Sequence, residues 1–71
     1  MATKIAEDLA ENDRIMFPLG ENGEHRLTVQ SRHVHPEGGV DQVSAFCRDE
    51  DANEDRIIGM TYGQEFEVPG W

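Results

Sequence analysis

From residue 14 to residue 68 the chain alternates apolar and polar side chains in short runs, and each run is closed by glycine, proline, asparagine or aspartate. A period of two places successive side chains on opposite faces of a strand, so this pattern specifies half-buried β-strands rather than helices. The clearest run is residues 25–34, where Leu27 and Val29 point one way and Arg26, Thr28, Gln30 and Arg32 the other. Residues 14–19 form an apolar run interrupted by Pro18, which restricts it to an edge or bulged strand. Gly20, Glu21, Asn22 and Gly23 follow, and Asn-Gly is a strong hairpin signal. A second turn is predicted at Pro36, Glu37, Gly38 and Gly39. Residues 40–48 then form a strand with Val43, Ala45 and Cys47 on one face and Phe46 on the other. Residues 56–62 and 64–68, joined at Gly63, complete the series. Five short strands at this spacing predict a mainly β fold, a small antiparallel barrel or curled sheet.

Residues 3–11 read differently. Ile5, Ala6, Leu9 and Ala10 fall on one side of a helical wheel, and Glu7, Asp8 and Glu11 on the other. Thr3 is available as an N-cap and Asn12 as a stop, so a short helix is expected, with an extended arm as the alternative. Nine residues do not hold a helix in isolation, and this one would have to dock its apolar stripe. The whole chain of 71 residues has room for one core, so residues 1–71 are expected to form a single acidic β domain of modest stability.

Fifteen acidic residues oppose six basic ones, giving a formal charge of −9 spread along the chain. Nucleic-acid binding needs clustered positive charge to displace counterions, and none is present. Direct contact with DNA or RNA is therefore not expected, and the surplus reads first as a solubilising surface, with a surface meant for a basic partner as the alternative. Cys47 is the only cysteine, so no internal disulfide can form and a reducing compartment is expected. No apolar run is long enough for a signal peptide or a membrane span, which points to the cytoplasm.

The run Asp49-Glu50-Asp51-Ala52-Asn53-Glu54-Asp55 places oxygen ligands at alternate positions, as a calcium loop begins. The glycine needed for its sharp turn is replaced by Glu54, and the position of the closing glutamate is Met60. A solvated loop, too charged to be buried, is the expectation, and Asp49, Asp51 and Asn53 are weak cation candidates. His33 and His35 would project from one face of a strand, with His25 at the same parity and Cys47 on a neighbour, so they form a weak zinc candidate. Cys47 shares parity with Val43 and Ala45, which makes it a buried, inert thiol. No catalytic triad order, phosphate loop or paired-cysteine motif occurs, so neither an enzyme nor a bound cofactor is expected. The only tryptophan, Trp71, either folds back to plug one end of the fold or stands free as an anchor for another chain. Tyr62, Arg26 and Arg32 are placed with it on an outer surface, and the acidic side chains Asp49, Glu50, Asp51, Glu54 and Asp55 form the second candidate binding patch.

The segment Asp8-Leu9-Ala10-Glu11-Asn12-Asp13-Arg14-Ile15 resembles the D-L-x-x-G-D-x-I turn that opens many small SH3-like β-barrels and recurs in Hint-type domains, with Asn12 where glycine is usual. Hint self-splicing is not implied, because no nucleophile opens the chain and no His-Asn pair closes it. The acidic composition, arginine in excess of lysine and the Asn-Gly hairpin are also similar to short barrel proteins of actinobacteria and their phages. That resemblance implies a fold and a phage or high-GC bacterial source, and no functional residue follows from it. The expected function is a non-enzymatic protein-protein interaction module for a host or virion protein, with self-association possible. The rival expectation is an acidic nucleic-acid mimic that blocks a DNA- or RNA-handling enzyme.

Overall fold

The structure is a computed structural model that describes residues 2–35 and 42–71. Among the described residues six strands follow one another: β1 (Ala2–Ile5), β2 (Arg14–Pro18), β3 (Glu24–Val34), β4 (Val43–Asp49), β5 (Glu54–Met60) and β6 (Glu65–Val68). Strands β2-β3-β4-β5 form one antiparallel sheet in sequence order, while β1 and β6 pair as a separate two-stranded antiparallel sheet. The turn expected at Pro36 to Gly39 and the start of the predicted strand at Val40 lie outside the described residues.

Alternation decides the inner face of the larger sheet. Ile15, Leu27, Val29, Val43, Ala45, Cys47, Ile58 and Met60 are buried there, and Ala6, Leu9 and Phe66 close the core from the other side. Phe17 stacks on Phe66 with ring centroids 6.1 Å apart, which joins the two sheets where β2 approaches β6.

Two expectations are corrected. Residues 3–11 are not a helix: Ala2–Ile5 is a strand whose backbone pairs with β6, from Ala2 opposite Val68 to Ile5 opposite Glu65. Only a single 3-10 turn, Ala6–Asp8, follows it. A short helix would leave most of its backbone groups to water, whereas the strand satisfies them against β6, and Ala6 and Leu9 still reach the core. The strands also do not close into a barrel, because β6 is taken by β1 and hydrogen-bonds to neither end of the four-stranded sheet.

A bulge in β3 changes which residues share a face. Register with β4 shifts between Val29 and Ser31, so one extra residue enters β3 and the alternation reverses. Before the bulge His25, Leu27 and Val29 face inward; after it Arg32 stands beside Ala45 and Val34 beside Val43 on the inner face. The Arg32 guanidinium donates from Nε to the Leu9 carbonyl at 2.8 Å.

The bend before β2 is held by Asn12, whose φ of 72° lies in the left-handed region that asparagine tolerates better than most side chains. The Asn12 N–H donates to Val29 O and the Val29 N–H to Asp13 O, both at 2.8 Å. The Asp13 carboxylate accepts from the Ala10 N–H at 2.8 Å and from Lys4 Nζ at 2.9 Å, tying β1 to this bend.

The outer edge of β2 is covered by the end of the chain. The Gly70 N–H donates to Arg14 O at 2.7 Å. A Cβ added at Gly70 would lie 3.0 Å from Met16 N, 3.1 Å from Ile15 Cα and 3.2 Å from Glu67 O. All three are backbone atoms, so nothing can yield without moving a strand. Gly70→Ala is expected to lower stability by about 1–3 kcal/mol in urea unfolding; an unchanged midpoint would show that this edge is not packed as described.

Candidate functional site

Three features gather the chemically capable side chains. The first is Asp49, the last residue of β4 and fully buried. It is an inner-face position in step with Cys47, Ala45 and Val43, and its neighbours across the sheet are Leu27 on β3 and Glu54 on β5. One oxygen accepts His25 Nδ1 at 2.7 Å and Arg56 Nε at 2.6 Å; the other accepts the N–H groups of Asp51 and Ala52, each at 3.0 Å. Burial alone would raise its pKa, but the Ala52 N–H, His25 and Arg56 together hold the carboxyl well below the ordinary carboxylate range. The expectation that Asp49 belongs to a solvated loop is therefore corrected. The loop shortens to residues 50–53, with Asn53 at φ 57°, and Asp49 is the acceptor around which the turn is built.

A histidine oriented by a buried aspartate also makes two of the three members of a hydrolytic triad. Among the described residues no serine, threonine or cysteine side chain hydrogen-bonds to His25. Cys47 is buried and its thiol is pushed up to about 11 by that burial, which leaves it protonated near neutral pH.

The cation candidates are used internally. Asp51 accepts the Arg26 N–H at 2.6 Å and the Arg26 guanidinium at 2.9 and 3.1 Å, which lowers its pKa and raises that of Arg26. Asn53 Oδ1 and Asp55 both accept from Arg48, and Glu54 lies 3.2 Å from Arg56. Glu50 accepts the Thr28 hydroxyl at 3.2 Å. His33 and His35 do meet edge to face, 4.5 Å between centroids, and His35 Nε2 lies 2.9 Å from Ser44 Oγ. The bulge sends His25 to the opposite face, where Cys47 also lies, so the four do not converge. Among the described residues no three histidine, cysteine or acidic side chains come together as a metal site.

The second feature is a clamp on Trp71. The guanidiniums of Arg14 and Arg26 lie 5.3 and 5.5 Å from the centroid of its indole ring, and Nε1 donates to Leu27 O at 3.2 Å. Trp71 thus folds back over the outward face of the β2-β3 hairpin instead of plugging an end. Tyr62 sits elsewhere, in the β5-β6 connection, with its hydroxyl on His35 O and its N–H on the Gln42 side chain at 2.8 Å. Arg32 lies on the inner face, so the structure joins Arg26 with Trp71 but neither with Arg32.

The third feature has no covering element among the described residues. Phe46 on β4 and Ile57 on β5 are cross-strand neighbours on the outward face, 40% and 67% exposed. Strand β5 ends the sheet, and among the described residues no strand lies beyond it. Sequence reasoning placed Phe46 outward but missed Ile57; the adjacent pair Ile57-Ile58 in a strand was the signal, because alternation buries only one of them. Among the described residues no helix is long and apolar enough to cross a membrane. Comparisons with family models, curated proteins and solved structures gave no match.

Proposed function

We propose that this chain is a non-enzymatic protein-protein interaction module, and that its binding face is the open β5 edge with Phe46 and Ile57. The observation that carries the reading is the exposed Phe46-Ile57 pair beside a sheet edge that has no neighbouring strand among the described residues. Large apolar side chains adjoining unpaired strand backbone are what a partner strand covers, whereas the opposite edge, β2, is already capped by Gly70. In the setting that the phage-type resemblance implies, the partner is a host or virion protein met in the cytoplasm. No cofactor is needed for such a role.

Immobilised wild-type chain should retain a defined host or virion protein, and Ile57→Lys should reduce that retention about tenfold while keeping a native circular dichroism spectrum. Equal retention by both would remove this face from consideration.

The nucleic-acid-mimic reading rests on a different observation. Glu24, Glu65 and Glu67 line one cleft between β2 and β6 with Met16, Phe66 and Gly70, and none of the three glutamates has an ion-pair partner among the described residues. A complex made there would weaken steeply as salt rises, while one made at Phe46 and Ile57 would change little.

A further inference from the structure

The pairing pattern fixes which backbone groups of β5 face outward. In an antiparallel ladder, residues alternate between bonding one neighbour and bonding the other. The Val29 N–H bonds Asp13 O toward β2, and Arg26 O accepts the Glu50 N–H toward β4. Thr28, next in step with Arg26, therefore bonds Arg48, and Cys47 and Asp49 turn toward Arg56 and Glu54. It follows that Glu54, Arg56, Ile58 and Met60 spend their backbone groups on β4. Asp55, Ile57 and Gly59 direct theirs away from the sheet.

These outward residues are symmetric about Ile57, which is also the midpoint of β5. We propose that the edge is occupied by a second copy of the chain, with the two β5 strands antiparallel about a two-fold axis at Ile57. This rests on the binding face given above and puts a second copy at its edge in place of a host or virion protein. In that register Ile57 stands opposite Ile57 of the second copy, and Asp55 opposite its Gly59 at both ends. The three facing pairs exchange about six backbone hydrogen bonds. On the outward face the two Ile57 side chains meet with Phe46 flanking each, giving one apolar ribbon across the junction.

Charge selects the same register. Glu54 faces Met60, Asp55 faces glycine and Arg56 faces Ile58, so no like charges stand directly opposite. A shift that centres the axis on Arg56 would set two arginines against each other. Asp55 is in addition held by Arg48, and Arg56 by Asp49 and Glu54, within each copy. Seven residues per strand bury an area near or below the low end of stable interfaces, roughly 1,200 Å². Each copy also carries −9. The dimer is therefore weak at low salt and strengthened when salt screens the repulsion, opposite in sign to a complex with a basic partner.

The test is sedimentation equilibrium of the full chain from micromolar to millimolar concentration, at low salt and at about 0.5 M salt. The expected result is a mass rising toward twice the monomer, at lower concentration in high salt. Ile57→Lys should raise the concentration needed at least about tenfold. Ile57→Pro should do the same, since its lost N–H points outward and no β4 bond is removed. Amide exchange at Asp55, Ile57 and Gly59 should slow as concentration rises, a readout that needs no variant. A chain that stays monomeric throughout, or a dimer indifferent to both variants, overturns the second copy as occupant. Monomeric chain that still captures a protein through Ile57 leaves the binding face standing and assigns its edge to another strand.

Discussion

Asp49→Ala is expected to lower stability by about 3 kcal/mol in urea unfolding. The substitution strips four donors of their acceptor at once: His25, Arg56, and the N–H groups of Asp51 and Ala52. Breaking a buried charged cluster by deleting one member costs about 3 kcal/mol or more, and the lower end applies because Arg56 reaches water. A domain of this length holds only about 4–11 kcal/mol in total. Asp49→Asn should do less harm, because an amide oxygen can still accept from the turn, although the charge that His25 and Arg56 face is gone.

The same carboxylate sets the acid limit of the fold. Its pKa in the folded chain lies below its value of 3.8 in the unfolded chain, so in acid the unfolded state binds the proton first. Its contribution is fully present above the ordinary carboxylate range and is lost as pH falls from there toward the lowered value. Asp51, shifted the same way by the Arg26 N–H and side chain, adds to the slope. Urea unfolding between about pH 5 and pH 3 should show stability falling with pH in the wild type and falling less steeply in Asp49→Asn. Parallel curves for the two proteins would mean that Asp49 is not held ionised by this cluster.

Much of the sheet was legible because alternation is local. Leu27, Val29, Val43, Ala45 and Cys47 are buried where a period of two puts them, and Phe46 is outside. The errors arose where a long-range partner overrode a local pattern. Ile5, Ala6, Leu9 and Ala10 have helical spacing, yet β6 offers Ala2–Ile5 a complete ladder, and no property of residues 3–11 alone announces that strand. The bulge at Gln30 shows in the sequence only as the polar pair Gln30-Ser31, so the parity of His25 could not be carried through to His33 and His35. Asp49 looked like the first residue of an acidic loop. Its true place required knowing that His25, Asp49 and Arg56 fall on adjacent strands at one level, which is a matter of register. The open edge was invisible for the same reason, since an edge is defined by the absence of a neighbour.

Trp71→Ala is expected to lower stability by about 2 kcal/mol, less than the roughly 3–5 kcal/mol of a fully buried aromatic, because the indole is half-buried. Two losses add: the Nε1 bond to Leu27 O, and the stacking of Arg14 and Arg26 on the ring, each worth about 0.5–1 kcal/mol at a partly exposed site. Trp71→Phe keeps a ring for the arginines and loses the N–H, so it should fall between the two. Arg26 remains bound to Asp51 in either variant, which confines the damage to the β2-β3 hairpin and the Gly70 strap. This bears directly on function. A partner that used Trp71 as its anchor would first have to draw the indole away from both guanidiniums and from Leu27 O. Denaturation curves should therefore move for Trp71→Ala while capture by the Phe46-Ile57 face persists in conditions where the variant is folded. If the curves coincide with wild type and capture disappears, the anchor role belongs to Trp71, and the clamp seen here is one state of a side chain that leaves to bind.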